Sequence, residues 1–514
     1  MSKSLSTEIQ ILVNKFNAKR YTEILKKISI LIKTNKNNDF LWNLSGLCFQ
    51  QINKTEEAIY SFQKSIDLNQ KNIAAKNNLA LCHKKIKNYK KAKEILNEIL
   101  KVNPYYLNAI VNLANLNNET YYLDEALNLF ETALKINNNI PEIHLNIANI
   151  YQSTNQIDKA KSLLKKTLNS NPGFTQADQI LSMLTNYNDN SNNDHVEGMI
   201  KKLNNDNLKN SQKLYLHFAL GKSYEDKKNF DKAFFHFEKG NKIKAGQNKN
   251  QIKDLEKLSK NLKKFFFKRN FENIKSDNSN NIIFILGLPR SGTSLLEKII
   301  SSHSKVCSVS EVNFLYDKIN KNILKNNEFN LSMTKKFLEN DLLKEFNQFL
   351  KNFNINKDII IDKTLFNFWY IGFIKLFFPN SPIIHSFRNA KDNCLSIYKN
   401  LFPTSERWLY DQEDIAKYYL IYEDLMKFWN EIFEGKILNV KYEDLINNSE
   451  NKIREIIKFC KLDWEVQCLK HQNNKNPIKT LSVNQANKPI YDTSINISAN
   501  YEGNLNKMFA ILDK

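Results

Sequence analysis

Apolar positions in the first half of the chain follow a helical spacing, and the whole pattern repeats every 34 residues. Small residues where helices touch and bulky residues between them are typical of stacked helix–turn–helix repeats, because one helix pair cannot bury its apolar face alone. The in-phase positions are Gly46, Ala80, Ala114 and Ala148, then Ala58, Ala92, Ala126 and Ala160, and finally Phe62, Leu96, Phe130 and Leu164.

This pattern resembles the tetratricopeptide repeat. The residues that carry the resemblance are Trp42, Gly46, Phe49, Ala58 and Phe62 in one unit and Leu220, Gly221, Tyr224, Ala233 and Phe237 in a later one. Less regular units are predicted over residues 5–38 and 175–210. We therefore predict an α-solenoid over residues 1–246. Its groove either docks an extended acceptor or partner, or only supports the following domain or mediates homodimerisation.

The pattern changes after residues 247–280, a Lys- and Asn-rich stretch that we predict to form a connecting helix and a polar linker at residues 276–280. Over residues 281–514, short runs of β-branched and aromatic residues alternate with helical periodicity. This alternation predicts an α/β domain with a parallel sheet and helices on both faces. The predicted strands are residues 282–286, 359–361, 383–387 and 437–440.

Ligands bind beyond the carboxyl ends of the strands in such sheets, so the residues after each predicted strand are informative. They are Arg290, Lys363, Arg388 and Tyr442. Three cations and a phenol at one edge predict a site for a multiply anionic nucleotide. Ser396 lies eight residues after Arg388, about two helical turns, where both side chains can hold one phosphate.

The first predicted strand leads into the glycine loop, residues 287–292. A segment with helical periodicity follows the loop. The N–H groups of such a loop and the positive end of the helix dipole converge on one anion. The nucleotide-binding pattern G-x-x-x-x-G-K-[ST] has a lysine where this chain has Thr293. The loop therefore predicts a P-loop-like phosphate or sulfate site and disfavours a nucleotide kinase without excluding it.

The sequence Pro289-Arg290-Ser291-Gly292-Thr293 resembles the 5′-phosphosulfate loop of sulfotransferases that use 3′-phosphoadenosine-5′-phosphosulfate (PAPS). With the pair Asp362-Lys363, and with Arg388 and Ser396, it resembles the tyrosylprotein sulfotransferase family. The whole chain is similar to bacterial proteins that join tetratricopeptide repeats to a sulfotransferase domain. The resemblance covers nearly all of residues 281–505.

The resemblance implies a role for each matching residue. The loop holds the 5′-phosphosulfate, Arg388 and Ser396 hold the 3′-phosphate, and Tyr442 lines the adenosine pocket. Ser482 and Lys488 belong to a segment that closes over the donor. The implied donor-binding set is Pro289, Arg290, Ser291, Gly292, Thr293, Ser294, Arg388, Ser396, Tyr442, Ser482 and Lys488.

Two positions depart from the family pattern. Lys391 stands where a second arginine is usual, and Ile497-Ser498 stands where Arg-Trp is common. The second departure leaves the packing of the C-terminus open.

Sulfuryl transfer is an in-line displacement at sulfur that needs a base for the acceptor proton and cations over the departing oxygen. Glu311 is our candidate base because it follows Arg290 by 21 residues, as the catalytic glutamate does in the resembling family. His303 is the competing base, since cytosolic sulfotransferases use histidine. Lys363 and Arg290 are the candidates that stabilise the departing oxygen. His385 lies inside a predicted strand, where we expect a buried histidine rather than a catalyst.

Composition narrows the partners. The 514 residues carry a formal net charge of +21, but the lysines are dispersed and no basic run is interleaved with aromatic residues, which argues against nucleic acid. The charge suits anionic ligands such as PAPS. Six cysteines without a C-x-x-C pair predict reduced thiols, without a disulfide framework or a metal site. We find no signal-peptide pattern and no stretch of transmembrane length, so we expect a cytoplasmic protein.

These observations predict a PAPS-dependent sulfotransferase that moves a sulfuryl group to a hydroxyl acceptor without a metal. Protein tyrosine is one candidate acceptor, with the repeats docking the peptide. Glycan, lipid and small-molecule hydroxyls need the same loop and base. Two alternatives stay open: a repeat scaffold with a catalytically idle α/β domain, and a P-loop nucleotide kinase.

Overall fold

The computed structural model describes residues 3–246, 251–267, 281–325, 328–329, 342–404 and 406–514. Its contacts divide the chain into two compact units. The first unit is Met1–Ile147 with Asn352–Asn354, and the second is Ala148–Lys351 with Ile355–Lys514. The division falls inside the predicted solenoid, so the second unit contains both the later repeats and the α/β domain.

The first unit consists of paired helices, which confirms the predicted solenoid there. The less regular unit predicted at residues 5–38 is also a helix pair. The helices are Lys3–Asn17, Tyr21–Thr34, Asp39–Gln51, Thr55–Leu68, Ile73–Lys85, Tyr89–Val102, Leu107–Glu119, Leu123–Ile136 and the first part of Pro141–Ser153.

The repeat period has a direct packing cause. A Cβ atom on Gly46 would lie 2.6 Å from the ring of Phe62, so the small residue lets the two helices of a pair meet. The backbone follows the same period, because turn residues with positive φ recur every 34 positions. These residues are Lys19, Asn53, Lys87, Tyr121 and Asn155.

The later repeats belong to the second unit and keep the same packing. A Cβ atom on Gly221 would lie 2.5 Å from the ring of Phe237. The predicted connecting helix is present as Gln251–Phe267, whereas the predicted linker at residues 276–280 lies outside the described residues. The other helices of this region are Ile157–Ser170, Thr175–Leu184, Asn193–Leu203, Asn210–Asp226 and Phe230–Lys244, with a 3₁₀ turn at Asn190–Asn192.

Within the second unit, the last repeat helices pack directly against the α/β domain. The buried Asn241 amide donates to the carbonyl oxygen of Tyr398 at 2.9 Å. The rings of Phe234 and Tyr398 are stacked with centroids 6.0 Å apart. Glu225 accepts a hydrogen bond from Lys399 at 2.7 Å. These repeats therefore share a core boundary with the domain that follows them.

The strands of the α/β domain are β1 (Ile282–Leu286), β2 (Val306–Ser308), β3 (Leu324–Lys325), β4 (Glu328–Phe329), β5 (Ile359–Asp362), β6 (Ile383–Phe387) and β7 (Ile437–Lys441). Five of them form a parallel sheet in the order β2-β5-β1-β6-β7. All predicted strands are present, and β2 is an additional edge strand that the sequence analysis missed. Two further strands, β3 and β4, form a separate antiparallel pair.

Both faces of β1 are buried. Ile283 belongs to a core cluster with Leu296 and Ile456, whereas Phe284, on the other face, packs its ring with its centroid 5.4 Å from that of Phe378.

None of the described helices is long and apolar enough for a membrane span. The α-helices of the domain are Thr293–Ile300, Phe314–Asn322, Leu342–Leu350, Ile371–Phe377, Ala390–Tyr398, Gln412–Ile432, Tyr442–Asn447, Ser449–Phe459, Val483–Ala486 and Asn506–Leu512. Its 3₁₀ helices are Leu365–Tyr370, Arg407–Tyr410, Val466–Asn473 and Ile497–Tyr501.

Candidate active site at the carboxyl edge of the sheet

A polar or charged candidate residue follows each strand of the parallel sheet. In the spatial order of the strands, these residues are Glu311, Lys363, Arg290, Arg388 and Tyr442. Because the strands are parallel, their carboxyl ends share one edge of the sheet, where open α/β folds bind ligands. The topology therefore gathers residues from distant parts of the chain into one candidate site.

The glycine loop has a backbone that requires its glycines. Gly287 has φ 147° and Gly292 has φ 104°. A Cβ atom on Gly287 would collide with the carbonyl oxygen of Ser386, and one on Gly292 would lie 2.7 Å from the Tyr442 ring. The Ser386 hydroxyl donates to the Ser291 carbonyl at 2.8 Å, which fixes the loop against β6. The loop shape thus depends on side-chain-free positions at both ends.

Further contacts hold the loop and the start of the next helix. The Asn393 amide donates to the Pro289 carbonyl at 2.9 Å. Thr293 and Ser294 are buried at the beginning of Thr293–Ile300, and the Ser294 hydroxyl lies 2.8 Å from that of Thr480. The loop is therefore fixed before the helix whose N-terminus faces the sheet edge.

Arg290 lies among hydroxyl and amide groups from two other parts of the chain. Its Nε donates to Ser396 at 3.2 Å, and its other nitrogens donate to Ser482 and, at 2.5 Å, to Gln485. Burial lowers the pKa of Arg290 to about 10, still well above neutrality, so the guanidinium remains charged. The sequence placed Ser396 beside Arg388, whereas the structure places its hydroxyl on Arg290. Gln485 was not foreseen.

Arg388 is buried at the end of β6. One of its terminal nitrogens donates to the Ser494 carbonyl, and its guanidinium lies 3.5 Å from Asp392 and 5.1 Å from the centroid of the Tyr442 ring. The Tyr442 hydroxyl and the Ser494 hydroxyl are 2.9 Å apart. Arg388 and Tyr442 are therefore neighbours, as their positions after adjacent strands predict.

Lys363 lies between two carboxylates. Its Nζ is 2.6 Å from Glu311 Oε1 and 3.5 Å from Glu297 Oε2. Burial alone would lower the pKa of Lys363, but the two carboxylates outweigh it and raise that pKa above its ordinary value. The structure thus brings the candidate base and the candidate cation together. It also adds Glu297, which sequence reasoning missed because it lies within an apolar helical pattern.

The two histidines considered in the sequence are both engaged. His303 is fully buried, with Nε2 3.0 Å from the Asp463 carbonyl and Nδ1 accepting from the Lys305 N–H at 3.1 Å. His385 is hydrogen bonded to Asn439 at 2.7 Å and to Tyr422, and burial lowers its pKa to about 4. Neither ring presents a free nitrogen for proton transfer.

The C-terminal segment, residues 482–498, is attached to the site by Asp392. The buried Asp392 carboxylate accepts from the N–H groups of Asn496 at 2.7 Å and Ser498 at 2.9 Å. Ser498, one of the two departures from the family pattern, is therefore tied to the same acid that faces Arg388. Lys488 is exposed, and its carbonyl accepts from His471 at 3.0 Å. Lys391, the other departure, is hydrogen bonded to Asp513 at 2.9 Å.

Two unsatisfied polar atoms test whether the site suits an anionic group. Among the described residues, Ser291 Oγ and Arg388 Nε are buried without a hydrogen-bond partner. A buried donor without a partner costs free energy, which a hydrogen bond to a bound anion would offset. Both atoms lie at the edge where Arg290 and Arg388 concentrate positive charge. The residues present therefore fit a multiply anionic nucleotide such as PAPS.

Comparison with known protein families agrees with this geometry. The model described as "Sulfotransferase family" matches residues 282–466, from β1 to beyond β7. Models described as "Tetratricopeptide repeat" match residues 53–111, 123–187 and 214–247.

Individual proteins also show similarity. An uncharacterised protein of Aquifex aeolicus is 32% identical over 312 residues, which is 58% of this chain and 41% of that protein. A tetratricopeptide repeat protein from Parabacteroides merdae has a solved structure that is 18% identical. The alignment covers 49% of this chain and 97% of that one, with a TM-score of 0.38. MamA from Desulfovibrio magneticus RS-1 is 16% identical over 34% of this chain and 98% of its own, with a TM-score of 0.31.

Two family matches in one sequence account for the two kinds of architecture. The repeat matches fall on the helix pairs, and the sulfotransferase match begins at β1 and includes the glycine loop, Lys363, Arg388 and Tyr442. The chain therefore carries tetratricopeptide repeats followed by a domain of the sulfotransferase family.

Proposed function

We propose that the protein is a PAPS-dependent sulfotransferase that transfers a sulfuryl group to a hydroxyl acceptor. The observation that carries this proposal is the row of residues at the carboxyl edge of the sheet, where Glu311, Lys363, Arg290, Arg388 and Tyr442 follow five adjacent parallel strands. The reaction needs a base that removes the acceptor proton and cations that stabilise an anionic leaving group. The carboxylate at one end of the row can provide the base, and the cations at its centre can provide the stabilisation.

The donor-binding residues divide by their position in the row. The N–H groups of the glycine loop, with Ser291, Thr293 and Ser294, would hold the 5′-phosphosulfate. Arg388 would bind the 3′-phosphate, and Tyr442, whose ring packs on Arg388, would line the adenosine pocket. Ser396 and Ser482 both contact Arg290 and would fix its guanidinium in place.

Bound PAPS supplies an activated sulfuryl group, whose S–O bond to the phosphate breaks as the acceptor oxygen bonds to sulfur, releasing adenosine 3′,5′-bisphosphate. Glu311 takes the acceptor proton, and its 39% exposed side chain is accessible from solvent. Lys363 and Arg290 stabilise the negative charge that grows on the departing oxygen. Burial of Lys363 strengthens this effect, since charges interact more strongly away from water.

We further propose that the acceptor is a protein or other extended molecule, with a tyrosine hydroxyl as the first class to test. Tetratricopeptide repeats offer a long surface for an extended segment. The last repeats pack against the α/β domain, and Asn484 of the C-terminal segment donates a hydrogen bond to the Met183 carbonyl of a repeat helix at 3.4 Å. This packing supports the proposal that a segment bound to the repeats is delivered to the sheet edge.

Calorimetric titration with adenosine 3′,5′-bisphosphate tests the donor assignment. We expect the wild-type protein to bind and Arg388→Ala to bind at least about tenfold more weakly, because a charge-assisted contact contributes about 1.5–3 kcal/mol. Arg20→Ala is the matched control, since Arg20 is exposed in the first unit and pairs only loosely with Glu23 at 3.8 Å. It should bind like the wild type.

Failure of the wild-type protein to bind this nucleotide would overturn the proposal. Magnesium-dependent ATP hydrolysis instead would favour the nucleotide kinase, and binding of neither nucleotide would favour a repeat scaffold with an idle α/β domain. Transfer of labelled sulfate from PAPS to peptides, glycans or small hydroxyl compounds then identifies the acceptor class.

A further inference from the structure

Glu297 is a buried acid that has no assigned role in the proposed sulfuryl transfer. It lies on Thr293–Ile300, one turn beyond the glycine loop, and its side chain is fully buried. Its Oε1 accepts hydrogen bonds from Ser308 at 2.5 Å and Ser310 at 2.6 Å. Two hydroxyl donors on one oxygen hold the carboxylate in a single orientation.

The second oxygen of Glu297 faces Lys363 without bonding to it well. Oε2 lies 3.5 Å from Lys363 Nζ, beyond the usual length of an N–H···O bond, and it accepts no hydrogen bond from the described residues. Lys363 instead binds Glu311 at 2.6 Å. Lys363 is therefore hydrogen bonded to Glu311, which is partly exposed, and lies beside Glu297, which is buried and has one oxygen without a hydrogen bond.

This asymmetry matters when a proton moves. Lys363 is fully buried, and a buried ammonium without a counter-ion is strongly destabilised. Once Glu311 has taken up the acceptor proton it is neutral, so Glu297 is the negative charge that remains beside Lys363. The ammonium of the neighbouring Lys298 donates to the Asn476 carbonyl at 2.9 Å.

We propose that Glu297 is a positioning residue, the permanent buried counter-ion that keeps Lys363 charged while Glu311 is protonated. The inference rests on the proposed function for its catalytic consequence. The ion pair itself does not depend on the donor or the acceptor. Glu311 then serves as the exchangeable partner of the lysine, and Glu297 as the fixed one.

The pH dependence of turnover is the first readout. Activity needs Lys363 protonated, and without Glu297 the pKa of Lys363 must fall, because one of the two carboxylates that raise it is gone. We expect Glu297→Gln to move the alkaline limb of the kcat profile at least about one pH unit lower, whereas Glu297→Asp should restore part of the shift. A role limited to packing would lower kcat without moving the limb.

Thermal unfolding against pH is a second readout that needs no donor. It is measured in a Lys298→Met background, because burial lowers the pKa of Lys298 to about 8 and Glu297 opposes that shift, so Lys298 would also titrate in this range. Loss of Glu297 lowers the folded-state pKa of Lys363, so the destabilisation by Glu297→Gln should be largest near about pH 7. It should shrink toward about pH 10, as Lys363 loses its proton in the variant.

Ser308→Ala is the control in the same background. It removes one hydrogen bond to Glu297 but leaves the charge, so its destabilisation should not depend on pH. If the effect of Glu297→Gln is equally independent of pH, or the alkaline limb stays in place in an active protein, the inference is wrong. A wild-type protein that neither binds adenosine 3′,5′-bisphosphate nor turns over would refute the proposed function, and the unfolding experiment would still test the ion pair.

Discussion

The repeats and the sheet edge are assembled from contacts of different range and chemistry. In the repeats, Gly46 meets Phe62 and Gly221 meets Phe237, so the packing partner is 16 positions away and apolar. At the sheet edge, Arg290 meets Gln485, which is 195 positions away, and the contact is polar. The same kind of local apolar contact recurs along the solenoid, whereas each polar contact at the sheet edge is formed by its own pair of residues. Equivalent substitutions should therefore cost stability in the repeats and activity at the sheet edge.

The largest expected difference comes from replacing one glutamate in each region. Glu311→Gln should lower sulfuryl transfer by about 10²–10⁴-fold, the usual contribution of a general base. Binding of adenosine 3′,5′-bisphosphate should change little, because the proposed role of Glu311 is toward the acceptor. Glu57→Gln is the matched control, since Glu57 is exposed in the first unit, 3.7 Å from Lys54, and should leave both quantities unchanged. Transfer rates with labelled PAPS, measured beside calorimetry, make the comparison.

Equal loss of activity in both glutamate variants would mean that Glu311 is not the base. Full activity in Glu311→Gln would direct attention to another proton acceptor. Because both ring nitrogens of His303 are hydrogen bonded to the backbone, that acceptor would have to be sought elsewhere.

Two matched glycines test whether the later repeats belong with the site. Gly46→Ala and Gly221→Ala each place a methyl group against a phenylalanine ring, at 2.6 and 2.5 Å, so each should destabilise its own unit by about 1–3 kcal/mol. Only Gly221 lies in the unit that contains the sheet. Near the unfolding midpoint, we expect Gly221→Ala to reduce nucleotide binding and Gly46→Ala to leave it intact. Urea unfolding monitored by fluorescence and by nucleotide binding measures both effects.

The opposite pattern, with nucleotide binding lost in Gly46→Ala and retained in Gly221→Ala, would contradict the division of the chain at residue 147. Parallel loss in both variants would show that the two units unfold together.

The solenoid is easier to predict from the sequence than the sheet edge, for a physical reason. A 34-residue period repeats the same packing many times, so even the irregular pair at residues 5–38 was predictable. Four of the five strands of the parallel sheet, β1, β5, β6 and β7, were also predictable, because apolar runs of four or five residues are conspicuous. β2 was missed because three residues are too few to show a period. Without β2, Glu311 followed no predicted strand, so its contact with Lys363 was not predicted.

Buried polar residues account for the other omissions. Glu297 and Gln485 occur in short helices where the pattern indicates only which face is apolar, and their partners lie elsewhere in the chain. Tyr187 lies within an Asn- and Asp-rich run, residues 186–194, whose composition is typical of an exposed loop. It is fully buried instead, with its hydroxyl 2.7 Å from His195 Nδ1. Such contacts depend on tertiary structure, which a local pattern does not encode.

A smaller effect is expected from Asp392→Asn. The buried Asp392 carboxylate faces Arg388 at 3.5 Å and accepts hydrogen bonds from the N–H groups of Asn496 and Ser498, so it orders both Arg388, the proposed ligand of the 3′-phosphate, and the C-terminal segment. An asparagine keeps one acceptor oxygen but loses the charge. We expect nucleotide affinity to fall about three- to tenfold, equivalent to about 1 kcal/mol. Asp158→Asn, on a repeat helix, is the control, and unchanged affinity in both variants would separate Asp392 from the site.

The smallest effect concerns acid, and it again distinguishes the two units. His385 in β6 is buried with a pKa of about 4, and burial likewise lowers the pKa of His217 and His236 in the last repeats to about 4. All three belong to the second unit. A histidine whose folded pKa lies below its unfolded value of about 6.5 contributes stability that is present above that value and lost as the pH falls toward about 4. For His385 alone, the loss between about pH 7 and pH 6 is about 0.5–1 kcal/mol.

Tryptophan fluorescence can assign this acid sensitivity to a unit. Trp42 lies in the first unit, and the other four tryptophans lie in the second, so Trp42→Phe leaves a signal from the second unit alone. Its thermal midpoint should decrease by about 1–3 °C for each kcal/mol lost on acidification from about pH 7 to pH 6. His385→Gln should reduce that slope, because glutamine does not titrate. In the first unit, burial also lowers the pKa of His83, so some acid sensitivity is expected there too. A slope that is unchanged in His385→Gln would mean that this buried ring does not contribute to the acid sensitivity of the second unit.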